Sequence, residues 1–144
     1  MATQKFIEYP NGPRGVTLTR RAEATILFNK LVKKGTAADQ VVVNTAATTA
    51  ILGIAKPDAV VEDANSAEQY VATNVVQVET LIPGQVYYGF AAGAIAINDF
   101  VTGAAGGDIA DEATPTTRTV NTIGIALEAI SDDTWGKFLC IKGA

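Results

Sequence analysis

Short apolar runs separated by small or polar residues recur along the chain. The clearest are GVTLT (15–19), ATILFNKLV (24–32), QVVVNT (40–45), AILGIA (50–55), YVATNVVQVE (70–79), QVYYGFA (85–91), AIAI (94–97), TIGIALEAI (122–130) and KFLCIK (137–142). Each is rich in Val, Ile, Thr or aromatic residues, whose side chains fit a pleated surface, and each is too short for the apolar stripe of a long helix. The pattern predicts a mainly β fold, a compact antiparallel β-barrel or sandwich. In the last run four consecutive apolar residues stand between lysines, which suits a strand buried on both faces and makes Cys140 an inert core group. Two segments could depart from strand: RRAEA (20–24) as the start of a short helix, and residues 59–69 as a turn with a short helix.

Ahead of the β-prone runs lies EYPNGPRG (8–15), with two prolines and two glycines. Proline fixes φ and lacks an N–H, and glycine opens turn conformations, so this stretch predicts an extended arm. The expected division is an N-terminal docking arm over residues 1–21 followed by a single β-rich domain over 22–144. An internal comparison bears on that domain. LGIA (52–55) matches IGIA (123–126), and KLV (30–32) ahead of Gly35 matches DFV (99–101) ahead of Gly103. The matches fit two related halves or chance similarity in an Ala- and Gly-rich chain; either half alone is too small for a robust core, so the two would share one.

Composition narrows the function classes. Hydrophobic residues make up 48% and charged residues 18% of the 144, which excludes general disorder. The net charge of -4 argues against direct nucleic-acid binding, which needs clustered cations to neutralise phosphate. The charge is uneven: residues 1–34 carry seven basic and two acidic groups, whereas 35–144 carry four basic and thirteen acidic ones. A basic segment on an acidic body can steer docking onto an acidic partner or a neighbouring subunit. The single cysteine allows no internal disulfide, and no apolar stretch reaches membrane-spanning length, so a soluble chain without membrane contact is expected. Histidine is absent, which removes the commonest general base near neutral pH and the usual nitrogen ligand for zinc or haem.

Chemical motifs are correspondingly sparse. Asp108, Asp111 and Glu112 carry oxygen ligands, but their spacing is not that of a calcium loop, and they read as part of a solvated acidic loop. The glycines of GAAGGD (103–108) lack the Lys-Ser or Lys-Thr of a phosphate loop and read as flexible. The expectation is a protein without catalytic residues, metal or cofactor.

Beside these readings, TTAILGIA (48–55), LIPGQVYYG (81–89), the small-residue insertion at 103–119 and the closing NTIGIALEAI (121–130) and KFLCIKG (137–143) together resemble the bacteriophage capsid decoration, or cement, proteins. The resemblance spans almost the whole chain. It implies a structural protein on the outer surface of an icosahedral head, present in the host cytoplasm during assembly, that binds the major capsid protein and stabilises contacts between its copies. It further implies a homo-oligomer, most often a homotrimer. Three other readings remain beside it: a viral tail or baseplate assembly module, a carbohydrate-binding β domain, and a carboxylate- or metal-dependent enzyme.

The protein-interaction candidates follow from charge and exposed apolar residues. Phe6, Ile7 and Tyr9 are apolar anchors on the arm, and Lys5, Arg14, Arg20 and Arg21 supply its positive field. Trp135, next to Gly136, either covers a barrel mouth or anchors a protein contact.

Overall fold

A computed structural model describes residues 16–142 as a mainly β protein whose first half closes into a barrel. The strands of the first half are β1 (Thr17–Ala22), β2 (Ile26–Leu27), β3 (Leu31–Lys34), β4 (Gln40–Val43), β5 (Ile51–Ala55), β6 (Gln69–Tyr70) and β7 (Val75–Thr80), with one helix, α1 (Ala59–Asn65), between β5 and β6. The second half contains β8 (Val86–Phe90), β9 (Phe100–Gly103), a 3-10 turn (Ala105–Gly107), β10 (Ile109–Asp111), β11 (Thr122–Ala126) and β12 (Trp135–Cys140). The expected barrel architecture is thus present; the arm lies mostly outside the described residues. RRAEA (20–24), open to a helix from sequence, instead continues β1 through Ala22, whereas the helix expected within 59–69 forms at α1.

In the first half the neighbours run β1-β4-β3-β5-β7, and β7 returns to β1. In the second the sheet runs β10-β9-β11-β12-β8, with a parallel bridge from Ala91, just past β8, to Ile109 of β10. Matching β1 with β8, β3 with β9, β4 with β10, β5 with β11 and β7 with β12 preserves every one of these neighbours. The parallel pair that joins β1 to β4, Ala22 with Val41, then corresponds to Ala91 with Ile109. The short bonds agree as well. Ala22 N donates to Asn74 O at 2.9 Å and Ala91 N donates to Thr134 O at 2.9 Å; Asn29 N donates to Ala55 O at 2.7 Å and Asn98 N donates to Ala126 O at 2.8 Å. Asn29 and Asn98 both adopt left-handed backbone, with φ of 69° and 72°, a region asparagine tolerates better than most residues.

The two segments matched in the sequence fall on β5 and β11. A Cβ at Gly53 would overlap the carbonyl oxygen of Glu79 on the neighbouring β7, and one at Gly124 would overlap the carbonyl oxygen of Leu139 on β12. Glycine is required there because the adjoining backbone approaches closely.

Apolar burial organises two clusters. One fills the first barrel with Ala22, Ile26, Phe28, Val32, Val41, Ala55, Tyr70, Val76 and Val78. The other combines Leu31, Ile51 and Ile54 of the first half with Tyr87, Val101, Ile109, Ile123, Phe138 and Cys140 of the second. Neighbouring side chains on β3 and β5 therefore enter different clusters: Leu31 and Ile54 face the second half, while Val32 and Ala55 face the first barrel. A strand covered on both sides needs continuous apolar sequence, which accounts for the ILGIA run of β5. Cys140 is buried in the shared cluster, as its sequence context predicts, and that burial pushes its thiol pKa up. Buried hydroxyls are paired: Tyr70 donates to Lys56 O at 2.6 Å and Tyr87 donates to Thr80 O at 3.0 Å. Desolvation pushes the Tyr70 phenol up to about 12, so it stays neutral.

Candidate interaction surface

Five of the interaction candidates, Lys5, Phe6, Ile7, Tyr9 and Arg14, lie outside the described residues. The other three fall in two separate places. Arg20 and Arg21, expected on the arm, stand on β1 within the barrel wall, and Trp135 opens β12 in the second half.

β1 pairs antiparallel with β7 from Thr17 opposite Glu79 to Arg21 opposite Val75. Its other side meets β4 only at Arg21 and Ala22, because β4 begins at Gln40 and runs parallel to β1 from there. The hydrogen-bond phase shows which residues face which neighbour. Thr80 N donates to Val16 O at 3.2 Å and Ala22 N donates to Asn74 O at 2.9 Å, so residues 16, 18, 20 and 22 direct their backbone groups to β7. Residues 17, 19 and 21 direct theirs the other way, and Arg21 N accordingly donates to Asp39 O at 2.8 Å. Thr17 and Thr19 thus face a side on which no described strand pairs with them. Both are exposed, and the Thr19 carbonyl accepts a hydrogen bond from Arg20 Nη1 at 2.9 Å.

Charge collects around this edge. Thr19, Arg20, Arg21, Asp39 and Val75 line a shallow hollow of about 170 Å³. A second hollow of about 300 Å³, bordered by Lys33, Lys34, Gly35 and Glu23, flanks the β3–β4 turn. Arg21 lies 3.6 Å from Asp39, but both side chains are largely in water and the pair adds little to stability. Lys33 donates to Thr45 Oγ1 at 2.8 Å. Four cations and two anions, Asp39 and Glu23, therefore stand near one end of the first barrel.

Trp135 is engaged inside the molecule. It meets Phe90 edge to face with centroids 5.2 Å apart, and the Lys30 ammonium sits 4.1 Å from the Phe90 centroid and 5.7 Å from that of Trp135. Lys30 also pairs with Asp108. This joins Lys30 of the first half to three residues of the second, and the 3-10 turn seats beside it: a Cβ at Gly107 would meet Lys30 Cβ at 2.7 Å. By sequence Lys30 was one of the seven basic groups of residues 1–34, and Asp108 part of a solvated acidic loop. A lysine within the apolar run ATILFNKLV was the available signal, since a buried cation requires an anion or aromatic face.

The remaining acidic loop is also built into the structure. Glu112 is buried and accepts hydrogen bonds from the hydroxyls of Thr119, at 2.8 Å, and Thr122. Asp111 lies beside Asp99; desolvation first, then the Asp99 charge and a hydrogen bond with Asp99, push the Asp111 carboxyl up to about 6. Among the described residues, no group of three His, Cys, Asp or Glu side chains could hold a metal ion.

No protein-family model matches the chain, and no curated protein matches it. Among solved structures, it is similar to the head fiber gp8.5 N base of bacteriophage phi29, with 16% sequence identity and a TM-score of 0.58. The likeness covers 87% of this chain and 92% of that one, so it extends through both halves. At this identity it is a likeness of fold.

Proposed function

We propose that this chain is a structural component of a bacteriophage virion, an assembly module that seats a surface appendage on the particle. The observation supporting this reading is the fold shared with a head fiber base over nearly the full length of both chains. A barrel and a five-stranded sheet that share a core suit such a task, because a load applied to one half passes to the other through packed side chains. The module acts by binding and turns over no substrate.

Capsid-wide decoration is the second reading, in which homotrimers bind the major capsid protein and reinforce contacts between its copies. The sequence resemblance to decoration proteins supports it; the fiber-base fold favours the appendage reading. Cryo-electron microscopy of particles made with and without the chain tests both. The appendage reading expects a few fixed loci and loss of the attached structure when the chain is missing. Density repeated over the head lattice, with heads that fail at lower temperature without it, would favour decoration. Absence from purified particles would overturn the virion role.

A further inference from the structure

We infer that the outer edge of β1, at Thr17 and Thr19, is a strand-addition site that takes an extended, acidic segment of a neighbouring virion protein. Three observations converge on it. The backbone groups of these two residues point away from β7, and β4 starts too late to meet them. Their side chains are exposed, whereas the matching positions on β8, Val86 and Tyr88, are buried or half-buried. The edge is bordered by Arg20, Arg21 and Asp39, with Lys33, Lys34 and Glu23 around the next turn, so cations outnumber anions there by four to two.

A strand placed there would continue the sheet in the space below the β3–β4 turn. Main-chain hydrogen bonds would supply its affinity, and carboxylates meeting the arginines would supply selectivity. Unpaired edges invite unwanted association and are commonly guarded by charge. Arg20 performs that guarding by donating to the Thr19 carbonyl. An incoming N–H can replace this exposed bond and release the guanidinium to meet an incoming acid. The chain's own residues 1–15 fit poorly as occupant, since Lys5 and Arg14 outweigh Glu8. The virion-assembly reading supplies only the source of the segment; the site itself can be tested without a particle.

The probe is a fluorescently labelled peptide of about ten residues in which glutamate alternates with threonine, titrated into the full chain at low salt. Saturable binding is expected, together with slowed amide exchange at Thr17 and Thr19. Methylating alternate peptide nitrogens, or replacing glutamate by lysine, should weaken binding by about tenfold or more. Thr19→Pro should do the same, because the lost N–H faces the open side while the ladder to β7 is retained. Should that variant misfold, the methylated peptide on the unaltered chain remains decisive. No saturable binding, equal binding of the methylated peptide, or exchange protection elsewhere would overturn the site. Peptide binding by a chain absent from particles would leave the edge intact and reject only the virion assignment.

Discussion

Equivalent positions in the two halves carry opposite chemistry. Lys30 and Asp99 directly precede the equivalent strands β3 and β9, the entry strands of the two matched units, and offer their carbonyls to equivalent residues, Ala55 and Ala126. Val43 and Asp111 both lie opposite an entry-strand valine, Val32 and Val101. In the first half this corner is covered by the 3-10 turn, whose Gly107 lies against Lys30, Leu31 and Val43. The cation there is met by Asp108 and two aromatic rings. In the second half the corner has two neighbouring carboxyl groups instead. One backbone arrangement therefore supports either pattern, and the cover laid over the corner decides which residues fit.

The largest test of this difference is removal of a partner at each corner. Asp108→Ala leaves Lys30 buried with no anion and should cost about 3–5 kcal/mol, measured by denaturant unfolding. Asp99→Ala relieves the repulsion with Asp111 but also removes the exposed acceptor of Ala96 N, and should change stability by less than about 1 kcal/mol at pH 7.5. A Lys30→Met, Asp108→Ala pair should recover most of the single-variant loss, since the apolar stem is retained and no charge is stranded. Equal losses from Asp108→Ala and Asp99→Ala would remove the distinction between the corners.

A second comparison concerns what the halves share. Gly53→Ala and Gly124→Ala each press a methyl group into a neighbouring backbone carbonyl, and each should destabilise by about 1–3 kcal/mol. Because Leu31, Ile51 and Ile54 pack among second-half residues, both variants should still unfold in one transition by circular dichroism and tryptophan fluorescence. Separate transitions would show that the shared cluster does not couple the halves.

These features differ in how plainly the sequence carries them. The strand character of β5, β7, β8, β11 and β12 follows from Val, Ile and aromatic enrichment, and the paired LGIA and IGIA segments mark equivalent strands. The helix after β5 was visible as a break in that pattern. The extent of β1 was not, since RRA has no apolar alternation of its own and becomes a strand by pairing with β7. The roles of Lys30, Asp108 and Glu112 were also hidden. Their partners lie at separations of 78 residues for Lys30–Asp108 and 10 for Glu112–Thr122, and only tertiary contact distinguishes them from solvated charges. Arg20 and Arg21 could be chosen by charge, but the open edge beside them depends on where β4 begins.

A subtler contrast is in pH response. The Asp111 carboxyl is raised to about 6, so its favourable contribution is present below the ordinary carboxylate range and is lost as pH rises through about 6. Relative to Asp111→Val, which places at this position the residue type of Val43, the parent should therefore lose stability between about pH 4 and pH 7. Unfolding curves across that range check the sign. A parent and variant with the same pH slope would place the titration elsewhere.

The smallest expected effect falls on the segment that most distinguishes the halves. Residues 56–68, including α1, join β5 to β6, whereas residues 127–129 span the equivalent interval before Ile130. No residue of α1 is buried, although Val61 packs partly against the first-barrel core, and Val60 is 77% exposed. Asp58 accepts hydrogen bonds from Val60 N at 3.0 Å and Val61 N at 3.3 Å, satisfying two donors at the helix start. Removing a cap typically costs about 0.5–2 kcal/mol, but that loss reaches global stability only where the helix is tied to the core. Asp58→Ala should consequently speed amide exchange at Val60 and Val61 while global unfolding moves by less than about 0.5 kcal/mol, the usual range for a surface change. A larger global loss would mean that α1 braces the first barrel, and the contrast between the halves would then extend from surface chemistry to stability.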